Sequence, residues 1–351
     1  MLFISFIDFG DMSSGSSVRP QRMYRAFEEL GYKINLLSGL QNRKLERNRN
    51  VYKKYREFKI NGIPDFCYVE PPSGPLFNLC DHLLLIWLKL HGVPIGLFYR
   101  DAYWKFADWW QVKGLKRFFL IKMQQFDLFI IKRTCKVVFF PTKSMAALFK
   151  LPHTDVLPPA GENFITPQHE LTRKALYVGG VSKAYGTDIL LEAFEIINEQ
   201  EKKDIQLTIV CRQHEMGSYF DKYRLKPWLE IKHASGDEQL GPIYTDHDIA
   251  LYPSHRDFYM DFCMPVKIFE YLSRALPIVC TSCREASGFV EKHGIGIVTE
   301  DNAQDFAQKV IMLYDNQLLL NEIRQNCEKT LLNGNLWQHR AKQAANEIMS
   351  V

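Results

Sequence analysis

Short apolar runs alternate with amphipathic helical patterns along the chain. Residues 2–7 form a largely apolar run that predicts a strand, and a glycine- and serine-rich loop at 10–17 follows it. Apolar residues then recur at the i, i+3, i+4, i+7 spacing of a helix with one buried face, which Gly31 ends. These residues are Met23, Ala26, Phe27 and Leu30. Residues 33–37 supply the next predicted strand.

The second half of the chain begins in the same way. Residues 175–178 predict a strand and residues 179–186 a loop. The helix that follows has its apolar face at Leu190, Ala193, Phe194 and Ile197. Further strands are predicted at 206–211, 229–232, 248–252 and 277–280. Apolar strands that alternate with helices are typical of parallel sheets covered on both faces, so the sequence predicts an α/β fold.

The length of 351 residues predicts two domains. A proline-rich stretch at 151–173 separates the two alternating halves and is interpreted as a linker. The predicted domains span 1–165 and 166–335, and a C-terminal helix at 336–351 is expected to pack back on the first of them. Ligands of open parallel sheets bind at the carboxyl ends of the strands, so the expected site is a cleft between the two domains.

Composition places the chain among ordinary globular proteins, with 46% hydrophobic and 24% charged residues. A net charge of +4 is too small to indicate nucleic-acid binding, and no nucleic-acid partner is expected. No apolar run approaches the ~20 residues that span a bilayer, and residues 1–7 lack the basic region of a signal peptide. The eight cysteines are scattered along the chain. In a chain of this size without a recognisable signal peptide, this pattern is typical of reduced thiols, so a cytoplasmic protein is expected.

Two strand-to-helix loops carry residues suited to phosphate or sugar oxygens. Gly15 and Ser16 precede the first helix, where backbone amides are unobstructed by bulky side chains. Gly180 and Lys183 lie in the corresponding loop of the second half, which adds a cation. Glycines also occur in such turns for backbone geometry alone, and that alternative stays open.

The most informative segment covers residues 264–279. Pro265 suits the first turn of a helix, where its missing amide is not needed. Lys267 and Glu270 are three residues apart and therefore share one face of that helix. The lysine could bind a diphosphate and the carboxylate two ribose hydroxyls, a charged bond that contributes roughly 1.5 to 3 kcal/mol. The alternative is an exposed ion pair that contributes only about a few tenths of a kcal/mol.

Residues 265–272 and 276–279 together resemble the P-x-K-x-x-E-Y…G-x-P-V-I segment of GT-B glycosyltransferases of group 1, which use nucleotide-sugar donors. Other landmarks that resemble this family follow in order along nearly the whole chain. They are residues 15–20 with 31–32, residues 99–104, residues 177–186 and residues 248–254. The resemblance implies a GT-B fold of two Rossmann-like domains facing a central cleft, the first binding the acceptor and the second the donor.

The resemblance also implies which residues bind the donor. Glu270 matches the second glutamate of the family's E-x7-E motif, which binds the ribose of the donor nucleotide. Phe262 occupies the position of the first glutamate, so the chain departs from the motif at the usual contact with the donor sugar. The residues expected to bind the donor are Gly15, Ser16, Gly180, Met264, Pro265, Val266, Lys267 and Glu270.

Many members of the family carry an arginine and a lysine after the first strand of the second domain. Gly180 and Tyr185 occupy those positions here, so neither diphosphate-neutralising cation is present. Lys183, Arg212 and Lys267 are expected to substitute for them.

Asp101 matches a cleft-facing acidic or histidine position of the family's first domain, near the anomeric carbon and the acceptor. It is the principal predicted catalytic residue, and Lys183 and Arg212 join it as stabilisers of the leaving group. A salt bridge between Asp101 and its neighbour Arg100 is the structural alternative. Arg19, Arg100 and Trp104 are expected on the acceptor side.

Breaking a sugar–diphosphate bond places negative charge on the departing phosphate, where preorganised donors would supply most of the rate. Residues 246–248 show the D-x-D pattern of metal-dependent transferases, but Asp248 opens a buried-type strand. The resemblance implies metal-independent catalysis with retention of anomeric configuration. No resident cofactor is expected, because the nucleoside-diphosphate sugar is a substrate; a UDP-sugar is favoured.

Aromatic side chains are concentrated between residues 94 and 140, with thirteen where the chain average of 13% predicts about six. Lysines and arginines are interleaved with them, and residues 43–59 form a second basic tract. Such surfaces can rest on anionic membranes, where a lipid-linked acceptor would lie, so peripheral membrane contact is expected. The alternative is that the aromatic residues form the domain core and the lysines a solvated face.

The sequence thus predicts a cytoplasmic hexosyltransferase. If it contacts a membrane, it is expected at the inner face of that membrane. It would move a sugar from a nucleoside-diphosphate-sugar donor to a glycan or lipid-linked glycan acceptor, as in polysaccharide biosynthesis. Two alternatives stay open: a non-catalytic nucleotide-sugar-binding partner subunit, and a nucleotide-sugar epimerase on the same fold. The missing first glutamate and the missing diphosphate cations keep the first of these alternatives open.

Overall fold

The computed structural model describes residues 1–10, 15–106, 110, 112–167, 170–217 and 220–350. They form two compact units. The N-terminal unit comprises residues 1–158 and 337–351, and the C-terminal unit comprises residues 159–336. Each unit contains a six-stranded parallel sheet, so the predicted α/β class with parallel sheets is confirmed.

The N-terminal unit alternates strands with helices from its first residues onward. Its strands are β1 (Leu2–Ser5), β2 (Asn35–Leu37), β3 (Cys67–Glu70), β4 (Ile95–Phe98), β5 (Val137–Phe140) and β6 (Thr154–Val156). Its first helices are α1 (Gly15–Glu29), α2 (Lys44–Asn61), α3 (Leu79–Leu90), α4 (Gly114–Thr134) and α5 (Lys143–Ala147). The strands lie in the order β2-β1-β3-β4-β5-β6, all parallel.

The core of the N-terminal unit is formed by the central strands and the helices against them. Every residue of β1, β3, β4 and β5 is buried. The rings of Phe3, Phe27 and Tyr68 pack with centroids 5.5 to 6.2 Å apart, which joins α1 to two strands. Strands that are buried on both faces need apolar side chains at successive positions, which explains the unbroken apolar runs.

The C-terminal unit repeats the alternation. Its strands are β7 (Lys174–Val178), β8 (Gln206–Val210), β9 (Leu229–Lys232), β10 (Ile249–Tyr252), β11 (Ile278–Thr281) and β12 (Gly296–Thr299). Its helices are α6 (Thr187–Glu195), α7 (Gly236–Thr245), α8 (Val266–Leu272), α9 (Arg284–His293), α10 (Ala303–Asp315) and α11 (Gln317–Leu332). The strand order is β12-β11-β10-β7-β8-β9, again all parallel.

The last helix, α12 (Trp337–Met349), belongs to the N-terminal unit, where it packs against α1 and β4. Ile348 lies so close over Gly96 of β4 that a Cβ on this glycine would overlap it. Gln338 donates to Glu29 at 2.7 Å, and Gln343 donates to the Asp155 carboxylate at 2.9 Å. The helix therefore covers part of the N-terminal sheet.

Two sequence expectations differ from the structure. The first helix begins at Gly15, so Gly15 and Ser16 form its first residues instead of preceding it. The stretch 151–173, interpreted as a linker, contains β6, the edge strand of the N-terminal sheet. This strand has three residues, two of them polar, so it carries almost no apolar signal. Among the described residues, no helix combines the length and apolar character needed to cross a membrane.

Candidate active site

The segments that follow β7, β8 and β10 meet at the carboxyl edge of the C-terminal sheet. Gly186 adopts φ 70° and lies so close to the backbone carbonyl of Pro253 that a side chain there would overlap it. A Cβ on Gly180 would lie 3.1 Å from the Tyr185 ring and 3.5 Å from the Glu215 carboxylate. These glycines therefore allow three chain segments to approach one another at the edge where parallel sheets bind ligands.

The loop between β7 and α6 is held by its own hydrogen bonds. The Ser182 amide donates to the Thr187 hydroxyl at 3.1 Å, and this hydroxyl donates to the Ser182 carbonyl at 3.1 Å. The Ser182 hydroxyl accepts from the Tyr185 amide at 3.4 Å. Lys183 lies at the tip of this loop with an exposed side chain.

Lys267 on α8 reaches the start of the same loop. A Cβ on Gly179 would overlap the Lys267 Nζ and Cε atoms, so the glycine makes room for the ammonium. The Nζ atom donates to the Tyr177 hydroxyl at 3.1 Å and lies 5.0 Å from the centre of the Tyr185 ring. Burial lowers the pKa of Lys267 to about 8, although the negative charges of Glu270 and Glu215 oppose this shift.

Glu270 lies one turn beyond Lys267 on α8 and is half-buried. Its charge helps to raise the pKa of Tyr244 on α7, an effect second to the burial of this tyrosine. The i, i+3 relation that the sequence predicted for Lys267 and Glu270 is present, since both belong to one helix.

Pro265 is the residue that caps α8, with Val266 as the first helical residue, so the proline precedes the first turn. Met264 and Val266 flank it and are both partly buried. Phe262, at the position of the absent glutamate, is buried in a short helical turn with its ring centre 5.1 Å from that of Tyr259. At the position where the resemblance implies a glutamate, the chain therefore makes an apolar contact within the unit.

Arg212 follows β8 with its guanidinium half exposed, 3.6 Å from the Glu215 carboxylate. The other oxygen of this carboxylate accepts from the Arg212 amide at 3.3 Å. The sequence analysis missed Glu215, although its i, i+3 spacing from Arg212 was a usable signal. The structure thus brings together Gly180, Arg212, Lys267 and, around them, two carboxylates.

A second group that the sequence analysis missed surrounds His255, just after β10. Its Nδ1 lies 2.8 Å from the Asp301 carboxylate, and its Nε2 lies 2.9 Å from the Asp188 carboxylate. Asp188 lies in the first turn of α6, and Asp301 follows β12. The imidazole therefore links the segments that follow β7, β10 and β12 by hydrogen bonds at the carboxyl edge.

Asp246 and Asp248 lie at the opposite, amino end of β10. The Asp248 carboxylate is buried and accepts hydrogen bonds from Thr172 and from the Lys174 amide at 3.0 to 3.2 Å. The Asp246 carboxylate pairs with the Lys174 ammonium at 2.8 Å. Both carboxylates of the D-x-D pattern thus hold the amino ends of neighbouring strands together.

In the N-terminal unit, Asp101 and Arg100 follow β4, and each contacts a residue at or just after the end of β3. The Ser73 hydroxyl donates to the Asp101 carboxylate, and Arg100 pairs with Glu70 at 3.3 Å. The Ser73 contact joins the loops after β3 and β4, and Asp101 remains partly exposed at the carboxyl edge of this sheet.

Arg19 and Trp104 are internal residues of the N-terminal unit. Arg19 pairs with the buried Glu70 at 3.1 Å and lies 3.4 Å above the Phe98 ring. The Trp104 indole is buried and donates to the Tyr99 hydroxyl at 3.0 Å. For Gly15 and Ser16 only the helical backbone belongs to the described structure.

Residues 172–316, which run from just before β7 to just after α10, match the family model described as glycosyl transferases group 1. The matched segment contains the whole carboxyl edge described above, including Gly180, Arg212, Lys267 and Glu270. No curated protein sequence matches the chain.

Several solved structures are similar over the whole chain. The glycosyltransferase from Rickettsia africae ESF-5 has a TM-score of 0.70 at 13% identity, with 99% of this chain and 98% of that chain covered. WaaG, a glycosyltransferase involved in lipopolysaccharide biosynthesis, has a TM-score of 0.66 at 14% identity, with both chains fully covered. Anabaena Alr3699/HepE, solved in complex with UDP-glucose, has a TM-score of 0.67 at 12% identity, also with full coverage.

Proposed function

We propose that the protein transfers a hexosyl group from a UDP-sugar to a lipid-linked glycan. The premise is that residues 172–316 match the glycosyl transferases group 1 family and that the chain has the GT-B fold. The fold, the resemblance to group 1 and the glycosyltransferase class expected from the sequence are confirmed. The proposal adds the nucleotide, the acceptor, retention of anomeric configuration and independence of metal ions.

The observation that carries the proposal is the position of Lys267 against the glycine pair after β7. The ammonium lies where a Cβ on Gly179 would be, so a cation and the partly buried backbone of the glycine pair lie together at the carboxyl edge of the sheet. A departing diphosphate could accept bonds from both, and Arg212 after β8 adds a second cation. In a partly buried site such donors stabilise the developing negative charge strongly.

The nucleotide is proposed to lie along α8. Glu270 is one turn from Lys267, which suits a ribose hydroxyl pair next to the diphosphate. UDP is favoured because HepE, a protein of similar fold, is solved with UDP-glucose. Lys183 is proposed to approach the diphosphate from the loop tip, where its exposed side chain is able to reorient.

Asp101 is the proposed catalytic carboxylate of the N-terminal unit. Its hydrogen bond with Ser73 fixes the carboxylate, while Arg100 is engaged by Glu70. The salt bridge considered for Asp101 and Arg100 is therefore not needed to explain why either residue is ordered. Arg19 and Trp104 are proposed to support this edge from inside, since each has a partner within the unit.

Metal-independent catalysis is supported by the contacts of Asp246 and Asp248. Both carboxylates bind groups of their own unit at the amino end of β10, opposite the edge that carries Lys267. Stabilisation of the leaving group is accordingly assigned to Lys267, Arg212 and backbone amides.

Membrane contact is proposed for α4. Five apolar residues lie on one face of this helix and are between 46% and 78% exposed. They are Leu115, Phe118, Phe119, Phe126 and Phe129. Lys122 and Arg133 lie at positions that share this face, as expected for a helix at an anionic membrane surface. A lipid-linked acceptor would be reached from such a surface, and we place the reaction on its cytoplasmic side.

Substitution of Glu270 tests the donor site. A panel of nucleotide sugars is first screened for thermal stabilisation of the protein, and the affinity of the best ligand is measured by calorimetry. The Glu270→Ala variant is expected to bind at least about tenfold more weakly, because loss of a charged hydrogen bond costs about 1.5 to 3 kcal/mol. Glu291→Ala, which removes an exposed carboxylate from α9, is the control. Equal affinity of Glu270→Ala and the native protein would exclude the ribose contact.

Product analysis with the same donor separates the three functions. A transferase releases free sugar and nucleoside diphosphate slowly when no acceptor is present, whereas an epimerase yields an isomerised nucleotide sugar. A binding subunit without activity yields neither. Proton NMR of the glycosylated product then reports whether the anomeric configuration is retained.

A further inference from the structure

A cavity of about 550 Å³ lies beside the C-terminal half of α4, within the N-terminal unit. It is formed between α4, the short helical turn that contains Lys105, and the segment after α5. Asp101 and Arg100 are not among its lining residues, so it is separate from the proposed catalytic edge. We call it the α4 cavity.

Among the described residues, the charged side chains that line the α4 cavity are all cationic. Four cationic residues line it: Lys105, Lys132, Arg133 and Lys150. None of the described residues that line it carries a carboxylate. An unbalanced group of four cations attracts an anion, and a phosphate, with several oxygens, can accept bonds from more than one of them.

The remaining wall of the cavity is mainly apolar. It is formed by Leu128, Phe129, Leu148, Phe149 and Leu151. A ligand that matches both parts has a phosphate attached to an apolar body. Free phosphate would leave this apolar wall in contact with water.

Lys105 connects the cationic and the apolar parts. Its ammonium lies 4.6 Å from the centre of the Phe149 ring and 5.0 Å from that of Trp104. Burial lowers the pKa of this lysine. The two rings stabilise the Lys105 ammonium only weakly. A bound anion would therefore stabilise this charged form further.

The cavity is continuous with the exposed face of α4. Phe129 and Arg133 belong to both, and the Arg133 guanidinium lies 3.5 Å from the centre of the Phe129 ring. A helix that rests on a membrane through Phe118, Phe119 and Phe126 would bring the cavity to the level of the lipid headgroups.

We propose that the α4 cavity binds the phosphate of an anionic phospholipid, with its apolar wall against the glycerol backbone and the first methylene groups. The source of this ligand rests on the membrane contact proposed for α4. A basic surface attracts any anionic membrane. The cavity would in addition bind the phosphate of an individual lipid headgroup.

The test uses the full chain and a soluble probe, dihexanoyl phosphatidic acid below its aggregation concentration, with binding measured by calorimetry. The native protein is expected to bind it saturably, and Lys105→Ala/Lys150→Ala to bind at least fivefold more weakly. Lys33→Ala/Lys342→Ala removes the same charge from exposed positions outside the cavity and is expected to bind as the native protein does. Inorganic phosphate is titrated in parallel and is expected to bind at least fivefold more weakly than the lipid. Thermal unfolding verifies that both variants are folded.

Any one of three results would overturn the proposal. Inorganic phosphate that binds as tightly as the lipid would show that the apolar wall contributes nothing. An equal loss of affinity in Lys33→Ala/Lys342→Ala would show that only the overall charge matters. Because the probe is soluble, a protein that binds it but not vesicles contradicts the α4 membrane contact alone, and a protein that binds vesicles but not the probe contradicts the cavity alone.

Discussion

Lys267 illustrates how a single residue is prepared for an anion. Its ammonium lies between tyrosine rings and a glycine that offers no side chain, and burial lowers its pKa to about 8. The charged form is therefore less stable here than in water. A diphosphate at this position would raise the pKa of the lysine, so binding of the donor and protonation of Lys267 are coupled.

This coupling predicts how donor affinity depends on pH. As the pH rises through about 8, the free protein loses the Lys267 proton that the complex retains, so the affinity for UDP falls. We expect the Kd to increase about tenfold between about pH 7 and about pH 9, since each unit above the lower pKa costs about 1.4 kcal/mol. Calorimetry at a series of pH values measures this change.

Lys267→Arg serves as the comparison for that titration, because a guanidinium keeps its charge throughout this range. Its UDP affinity is expected to vary less than threefold over the same pH values. A native protein whose affinity is independent of pH would contradict the assigned contact.

Residues of the candidate site differ in how readily they can be predicted from the sequence. Lys267 and Glu270 could be selected because their relation is local, three positions on one helix. His255 could not, because its two carboxylate partners are 67 and 46 positions away. Arg100 shows the same limit, because it forms an ion pair with Glu70, which lies 30 positions earlier at the end of β3.

At the scale of elements, α4 shows why the aromatic content of a segment does not reveal which of its aromatic side chains are exposed. Nine of the thirteen aromatic residues between 94 and 140 fall into two clear groups. Phe98, Tyr99, Trp104, Phe139 and Phe140 are buried, whereas Phe118, Phe119, Phe126 and Phe129 are exposed on α4. Strands and loops thus supply core aromatic residues, and α4 presents others to solvent, while the membrane contact itself stays a prediction.

The exposed face of α4 predicts binding to vesicles. Phe118→Ser/Phe119→Ser is expected to reduce co-flotation with vesicles of phosphatidylcholine and phosphatidylglycerol at least fivefold, because two large apolar side chains no longer enter the interface. Thermal stability should change little, since both side chains are more than half exposed. Flotation is measured for the folded, full-length protein.

Leu225→Ser/Leu318→Ser provides the matched control for this experiment. Both leucines are more than 80% exposed, and both belong to the C-terminal unit. This variant is expected to float as the native protein does. If it loses vesicle binding to the same degree, the membrane contact does not belong to α4.

At the scale of the whole molecule, the two alternating halves could be predicted because parallel strands buried on both faces produce apolar runs. The edge strand β6 could not, since an exposed three-residue strand needs few apolar side chains. The described chain crosses between its units at 158–159 and again at 336–337. The N-terminal unit is therefore assembled from two separate stretches of sequence.

Core contacts of α12 should therefore govern the stability of the N-terminal unit. Ile348→Ala is expected to lower its free energy of unfolding by about 2 to 5 kcal/mol, because Ile348 is fully buried over β4. Asn346→Ala, at an exposed position of the same helix, should change it by less than about 0.5 kcal/mol. Denaturant titration followed by tryptophan fluorescence suits this measurement, since five of the six tryptophans belong to this unit. Equal stability of Ile348→Ala and the native protein would contradict the role assigned to α12.

The return of α12 to the N-terminal unit also orders the events of synthesis. A nascent chain that has grown through Leu336 contains every strand of both sheets, yet it lacks the helix that covers Gly96 and packs against α1. The unit translated second can thus become complete on the ribosome while the unit translated first is still waiting for its last helix.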